Sequence, residues 1–294
     1  MKNTSFSPRI GRRKFLGTLG GVGAAAFVGN FWPHVAMAAP RKGRLKQAIC
    51  RGVFKGLKLD FEGQCREAAR LGAYGIDLVG PKEFDTLKKY GLIPTMVSGG
   101  SGIKKGINDK ANHAEIDAKM REAILAASAA GAPNVIVLAG DRQGLTDEQG
   151  LENCVAFLNN IKGLAEEKNV TLCMELLNSK VNHPGYMCDH TAWGVEMCKR
   201  VNSPRVKLLY DIYHMQIMEG DIIRTIRANI QYIGHFHTAG NPGRNEFDET
   251  QELYYPAICK AIADLGYQGY IAHEYTPTKE PLETLEKMMK LCEV

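Results

Sequence analysis

Four apolar runs in the second half of the chain each end on a side chain that packing alone does not require. Val170-Thr171-Leu172-Cys173-Met174 runs into Glu175, and Val206 to Tyr210 runs into Asp211. Tyr232-Ile233-Gly234-His235-Phe236 runs into His237, and Tyr270-Ile271-Ala272-His273 into Glu274. A short continuous apolar run bounded by polar residues reads as a buried strand. A carboxylate or imidazole at the end of such a strand is costly unless something there neutralises or bonds it. Four strands share one use for these ends only if they run in the same direction. That requires a parallel sheet, and parallel strands need long crossovers, usually helices.

The segments between the runs read as those helices, and the alternation extends back to residue 46. Strands are expected at Lys46 to Cys50, Gly75 to Val79, Ile93 to Val97 and Asn134 to Leu138. The second half adds Val170 to Glu175, Val206 to Asp211, Ile233 to His237 and Tyr270 to Glu274. Helical spacing appears in Asp60 to Leu71, Glu83 to Tyr90, the segment containing Ile116, Met120, Ile124 and Ala127, and Leu151 to Lys168. It recurs in Thr191 to Arg200, Ile222 to Asn229 with Asp221 as N-cap, Tyr254 to Leu265, and Leu282 to Cys292. Gly131 closes the third helix, and the glycine-rich stretch Ser98 to Gly106 reads as a mobile loop. Eight strands, each followed by a helix, point to an α/β fold: a single-domain (β/α)8 TIM barrel.

The first 38 residues read differently. Arg12-Arg13 stands before an uncharged, Gly- and Ala-rich segment from Phe15 to Trp32, and Ala36-Met37-Ala38 is a small-x-small cleavage site. This resembles a twin-arginine export signal, which implies the twin-arginine translocase as a partner during export and a periplasmic or exported location. The segment is too glycine-rich for a good spanning helix, so no stable membrane association is expected. The domains are therefore 1–38, the signal, and 39–294, the barrel. Removing 38 of 294 residues leaves 256, close to the usual size of such a barrel.

The signal also carries the charge imbalance. The chain has 37 basic and 32 acidic side chains, and residues 1–38 hold Lys2, Arg9, Arg12, Arg13, Lys14 and no acid. The rest is left with 32 of each, and no positive field for nucleic acid. The eight cysteines contain no C-x-x-C pair and mostly lie in apolar runs, so they read as small core residues. The oligomeric state stays open, a homo-oligomer included.

In a parallel barrel the C-terminal strand ends share one face, where active sites of this fold sit. Glu175, Asp211, His237 and Glu274 would be neighbours around half that rim. Three carboxylates and an imidazole repel or titrate unless a cation joins them. Three oxygens and one nitrogen, without cysteine, suit Mn²⁺, Mg²⁺ or Co²⁺ better than a structural zinc. A charged rim that binds sugar without metal is the other reading of the cluster.

Longer motifs around these residues carry a resemblance. Glu175-Leu176-Leu177-Asn178, the run Tyr210-Asp211-Ile212-Tyr213-His214-Met215-Gln216 and Ile233-Gly234-His235-Phe236-His237 belong to it. So do Asn241-Pro242-Gly243-Arg244 and Glu274-Tyr275. Together they are similar to the hydroxypyruvate isomerase family, within the xylose-isomerase-like barrels that include sugar phosphate isomerases and ketose 3-epimerases. The likeness is strongest from Val170 to Pro277. It implies that Glu175, Asp211, His237 and Glu274 hold a divalent metal and that His214 and Arg244 bind a small-molecule substrate. Relatives in the hydroxypyruvate group often carry Gln where this chain has His237, and the ketose epimerases carry His.

The implied reaction moves a carbonyl by one carbon, hydroxypyruvate to 2-hydroxy-3-oxopropanoate (tartronate semialdehyde). A proton must leave the carbon beside the carbonyl, and Glu175 and Glu274 are the natural pair to take and return one. A ketose 3-epimerase or another periplasmic keto-sugar enzyme would use the same residues. An exported sugar-binding protein would have no use for two bases, and a metal-dependent endonuclease would need further ligands and a basic face.

Overall fold

In the computed structural model, which describes residues 43–294, eight parallel strands close into a barrel in chain order. They are β1 (Lys46–Cys50), β2 (Gly75–Val79), β3 (Ile93–Val97), β4 (Asn134–Val137), β5 (Thr171–Leu176), β6 (Val206–Asp211), β7 (Ile233–Thr238) and β8 (Tyr270–His273). Closure is made by β1 against β8, with Lys46 opposite Tyr270 and Ile49 opposite His273. The helices are α1 (Phe61–Arg70), α2 (Phe84–Lys89), α3 (His113–Ala130), α4 (Asp147–Glu167), α5 (Thr191–Val201), α6 (Ile212–Met218), α7 (Ile222–Asn229), α8 (Tyr255–Asp264) and α9 (Pro281–Leu291). The expected signal and its cleavage site lie outside the described residues. None of the described helices is long and apolar enough to cross a membrane.

Periodicity explains why these segments pack as they do. The helix stripe expected in α4, Cys154, Leu158, Ile161 and Ala165, is buried against the barrel. In α3 the buried face is Ile116, Met120, Ala123, Ile124 and Ala127, and Gly131 ends the helix in the left-handed region at φ +70°. All eight cysteines are buried and free, packed as small core residues. Inside the barrel, Asp77, Thr95, Asn134, Cys173 and His235 form a polar layer joined by hydrogen bonds.

Four expectations need correction. First, α4 begins at Asp147, four residues before the expected Leu151. Thr146 Oγ1 accepts from Gln149 N (3.2 Å) and Gln149 Oε1 accepts from Thr146 N (3.0 Å), a reciprocal cap that starts the helix ahead of its apolar stripe. Second, a helix absent from the expected set, α6, follows β6 directly, started by the Asp211 side chain as its cap. Third, Asp221 occupies the N-cap position of α7 as expected, but at φ +44° and without a side-chain bond to the helix; its carboxylate pairs with Arg224 at 2.9 Å instead.

The fourth concerns the glycine-rich stretch, which is pinned to the end of β4. Leu138 N donates to Ser101 Oγ at 2.8 Å, and Ile107 N donates to Leu138 O. A Cβ on Gly106 would come within 2.2 Å of Ala139. That glycine permits close backbone approach rather than motion. Of these features the α4 cap is the simplest to isolate. Thr146→Ala is expected to lower stability by about 1 kcal/mol, seen as a lower urea midpoint with an unchanged m-value.

Candidate metal centre

Strand direction brings the four expected ligands together. Asp211 is the last residue of β6, Glu175 and His237 lie one residue inside the ends of β5 and β7, and Glu274 directly follows β8. Asp211 and His237 are register partners across β6 and β7. One ligand atom from each of Glu175, Asp211, His237 and Glu274 lies within 4.8 Å of all the others. Asp211 and His237 are almost wholly buried and Glu175 is 6% exposed.

These acids sit in unequal environments. Burial raises the pKa of Glu175 above the ordinary carboxylate range. Burial likewise raises Asp211, against the pull of the Arg244 guanidinium. Burial would also raise Glu274, but His237 and Arg244 outweigh it and hold its pKa at about 2. Arg244 Nη2 donates to Asp211 Oδ2 (3.0 Å) and Glu274 Oε2 (2.6 Å). The sequence places Arg244 in a rim loop. Its backbone, at φ +57° after Gly243, turns it inward, with the guanidinium over the Tyr213 ring.

His237 carries the test of whether the set suits a cation. Its Nε2 faces Asp77 Oδ2 at 3.0 Å. Its Nδ1 lies 2.8 Å from Glu274 Oε2 and 3.5 Å from Glu175 Oε1, yet makes no hydrogen bond. A buried ring nitrogen between carboxylate oxygens without a hydrogen bond has the surroundings of a ligand. With three carboxylates beside it, the donor set fits a hard or borderline divalent ion.

His214, in the first turn of α6, is also buried. Its Nδ1 accepts from Asn178 N (3.1 Å) and Asn178 Nδ2 (2.5 Å), which leaves the proton on Nε2. Burial, helped by Arg244, lowers its pKa well below the usual histidine value, so the ring is neutral near pH 7. The Nε2–H lies 3.7 Å from Asp211 Oδ2 without a hydrogen bond and is available to an oxygen placed in the site. Asp211 joins the two histidines' regions: Oδ1 accepts from His214 N (3.1 Å), while Oδ2 faces the cluster.

A cavity of about 260 Å³ opens onto Glu175, Glu274 and Arg244, walled by Leu78, Ile103, Leu138 and Leu177. A larger groove, about 650 Å³, lies between residues 247–256 and α9 and touches none of the four ligands. Other polar rim residues mostly hold loops in place. Glu246 accepts from Thr278 N and Lys279 N, Lys180 donates to Ile217 O and Met218 O, and His190 pairs with Asp189. Glu252 accepts from Gln216 and Asn241. His183 instead lines the cavity, its ring 5.4 Å from that of His214.

Sequence reasoning missed Asp77, His235, Cys50 and Asn178. A lone acid inside the apolar run Gly75-Ile76-Asp77-Leu78-Val79 was the available signal. Asp77 is fully buried, accepts from Thr95 Oγ1, and faces His235 Nε2 (2.6 Å) and His237 Nε2 (3.0 Å). Cys50 Sγ lies 3.8 Å from His237 Nε2.

Comparison with known proteins adds four findings. Residues 63–292 match the xylose isomerase-like TIM barrel family. A putative hydroxypyruvate isomerase of Xenopus laevis is 36% identical over 120 residues, 40% of this chain and 44% of that protein. A 2-oxo-tetronate isomerase of Cupriavidus necator is 40% identical over 94 residues, 32% of this chain and 36% of that protein. Each match thus spans less than half the relative's length. Among solved structures, an AP endonuclease, family 2, from Brucella melitensis superposes with a TM-score of 0.76 at 24% identity, covering 84% of this chain and 99% of that one. At that identity the likeness is one of fold.

The ligand assignment makes a direct prediction. Asp211→Asn removes one charge from the cluster, and its loss of Mn²⁺ affinity in calorimetric titration is expected to exceed the roughly 10–100-fold that outer hydrogen-bond partners are worth. Unchanged affinity in a folded variant would remove Asp211 from the ligand set.

Proposed function

Because the chain belongs to the xylose isomerase-like TIM barrel family, we propose that it is a metal-dependent isomerase of a small hydroxy-carbonyl compound. Hydroxypyruvate, converted to 2-hydroxy-3-oxopropanoate, is the leading substrate. The observation that carries this reading is the convergence of Glu175, Asp211, His237 and Glu274 beside His214 and Arg244, with Glu175, Glu274 and Arg244 lining one cavity. Names of the partial-length relatives support it.

Glu175, Asp211, Glu274 and His237 Nδ1 would hold the divalent ion. When bound, a divalent cation supplies positive charge beside the oxygens of the deprotonated substrate. The chain's own groups then divide the remaining tasks. Arg244 offers a planar donor pair to the substrate carboxylate, exchanging its bonds to Asp211 and Glu274 for that contact. His214 donates Nε2–H to a substrate oxygen. Glu175, in its ionised form, takes the proton from C3 of hydroxypyruvate. Glu274, released from Arg244, relays a solvent proton to C2 as Glu175 gives up its own to solvent, while a proton passes from O3 to O2, so that the carbonyl moves by one carbon with no net gain or loss of atoms. Leu78, Ile103, Leu138 and Leu177 line part of the cavity with apolar surface.

Epimerisation of a ketose is the second reading, favoured by an imidazole at position 237 where hydroxypyruvate relatives often have Gln. It would return the proton to the carbon that lost it. NMR of products in D2O separates the two, since isomerisation places deuterium at C2 of the aldehyde product and epimerisation at a ketose carbon. In either case Glu175→Gln retains a metal-binding oxygen but no base. Substrate proton exchange with D2O is expected to slow by roughly 10²–10⁴. Wild-type exchange in that variant would assign proton removal elsewhere.

The same proposal includes export by the twin-arginine route, motivated by Arg12-Arg13 before Phe15-Leu16. Replacing both arginines by lysine is expected to retain the protein in the cytoplasm on fractionation. Undiminished delivery to the periplasm would point to another pathway.

A further inference from the structure

Asp77 is a carboxylate in the middle of β2 with no exposed surface. Such a group is expensive to bury unless it is both ionised and bonded, or neutral. Here it is bonded on both oxygens. Thr95 Oγ1 donates to Oδ1, while His235 Nε2 at 2.6 Å and His237 Nε2 at 3.0 Å share Oδ2. Thr95 Oγ1 and, by the tautomer fixed below, His235 Nε2 donate to it on separate oxygens, and these donors favour its anion.

The donors also fix where the imidazole protons lie. Asn134 Nδ2 donates to Thr95 O, so that end of the amide is the nitrogen, and the same nitrogen faces His235 Nδ1 at 3.4 Å. His235 therefore accepts at Nδ1 and carries its proton on Nε2, directed at Asp77. His237 presents the same edge to the same oxygen. Were its proton on Nδ1, a lone pair on Nε2 would confront the Asp77 anion at 3.0 Å. With the proton on Nε2, that contact becomes a charge-assisted hydrogen bond and the Nδ1 lone pair points between Glu175 and Glu274.

The backbone of β2 is bent around this residue. Its register against β3 shifts on both sides of Asp77, and the following residue, Leu78, takes φ +59°. A left-handed leucine inside a strand is unfavourable and persists only where its surroundings over-determine it. One consequence is that two successive side chains face the barrel interior. Asp77 reaches His235 and His237, and Leu78 packs on Ala48, Cys50 and Ala272 at the cavity mouth.

We propose that Asp77 is a positioning residue of the site: by accepting the Nε2–H of His237 it locks that imidazole in the tautomer whose Nδ1 lone pair serves the divalent cation. The proposal rests on the metal reading above. It assigns Asp77 no contact with substrate, and it makes Thr95 and His235 the partners that hold the carboxylate still. A carboxylate behind a ligating imidazole raises the ring's basicity, and losing such a partner weakens metal affinity by about 10–100-fold.

The test combines a spectrum of the wild-type protein with an affinity cycle. Long-range 1H–15N correlation of the histidine-labelled wild type with Mg²⁺ bound, with His237 assigned by its absence in His237→Gln, is expected to show the Nε2–H form. Mn²⁺ titration is expected to show Asp77→Asn binding about 10–100-fold more weakly than wild type. In the His237→Gln background the same substitution is expected to have little further effect. A purely structural role would lower affinity equally in both backgrounds, and that result overturns the proposal. So does an Nδ1–H signal for His237, or wild-type Mn²⁺ affinity in a folded Asp77→Asn protein. If Asp77→Asn does not fold, the wild-type spectrum decides. A wild type that takes up no Mn²⁺ overturns the metal reading and this proposal with it, whereas Mn²⁺ uptake with an Nδ1–H signal overturns the proposal alone.

Discussion

Mutual repulsion among three carboxylates, two buried and one half-buried, is the constraint on which the rest of this structure depends. Glu175, Asp211 and Glu274 come from different strands, and their oxygens are brought within a few ångströms of one another. A hydrophobic core of the same shape would be cheaper to assemble. The barrel tolerates the cluster because each acid has a counterweight. Arg244 reaches two of them, His237 lies against Glu175 and Glu274, and the α6 backbone donates to Asp211. A site with so much negative charge and one ring nitrogen lacking a hydrogen bond is suited to a cation, and the proposed chemistry follows from that electrostatic arrangement.

Around the cluster, single residues serve two ends at once. Asp211 starts α6 with one oxygen and faces Arg244 with the other, so the helix bearing His214 is placed by a proposed metal ligand. Tyr186 OH bridges Ala139 N and Glu175 O, fixing the β5–α5 segment against the end of β4. Asn178 holds His214 Nδ1 and caps its own turn through Val181 N and Asn182 N. Displacement of any of these would be transmitted to the clustered side chains, and such sites are held most firmly by rigid elements.

Most of the fold was legible in the sequence, because alternating apolar runs and helical stripes are local signals. The strands β1, β2, β3 and β6 occur at the expected residues, and Glu175, Asp211, His237 and Glu274 do converge. What stayed hidden was non-local. Asp77 acquires meaning only through His235 and His237, which are 158 and 160 residues away in the chain. The inward turn of Arg244 depends on a left-handed backbone that its residue type does not announce. Ser98 to Gly106 looked mobile because glycine has two uses, freedom and close approach, and only the packing against Ala139 tells them apart. The helix α6 is masked by a residue with two roles: Asp211 ends a strand as a candidate ligand and also caps the helix that follows.

The central claim is that these four side chains form one divalent-cation site from which Arg244 can withdraw. Anomalous diffraction from crystals grown with Mn²⁺, recorded with and without hydroxypyruvate, tests it most directly. The account predicts a single strong manganese peak bonded to Glu175, Asp211, Glu274 and the Nδ1 atom of His237, with the Arg244 guanidinium moved from Asp211 and Glu274 onto the substrate carboxylate. No peak at saturating Mn²⁺, with Arg244 still bridging the two acids, would contradict it.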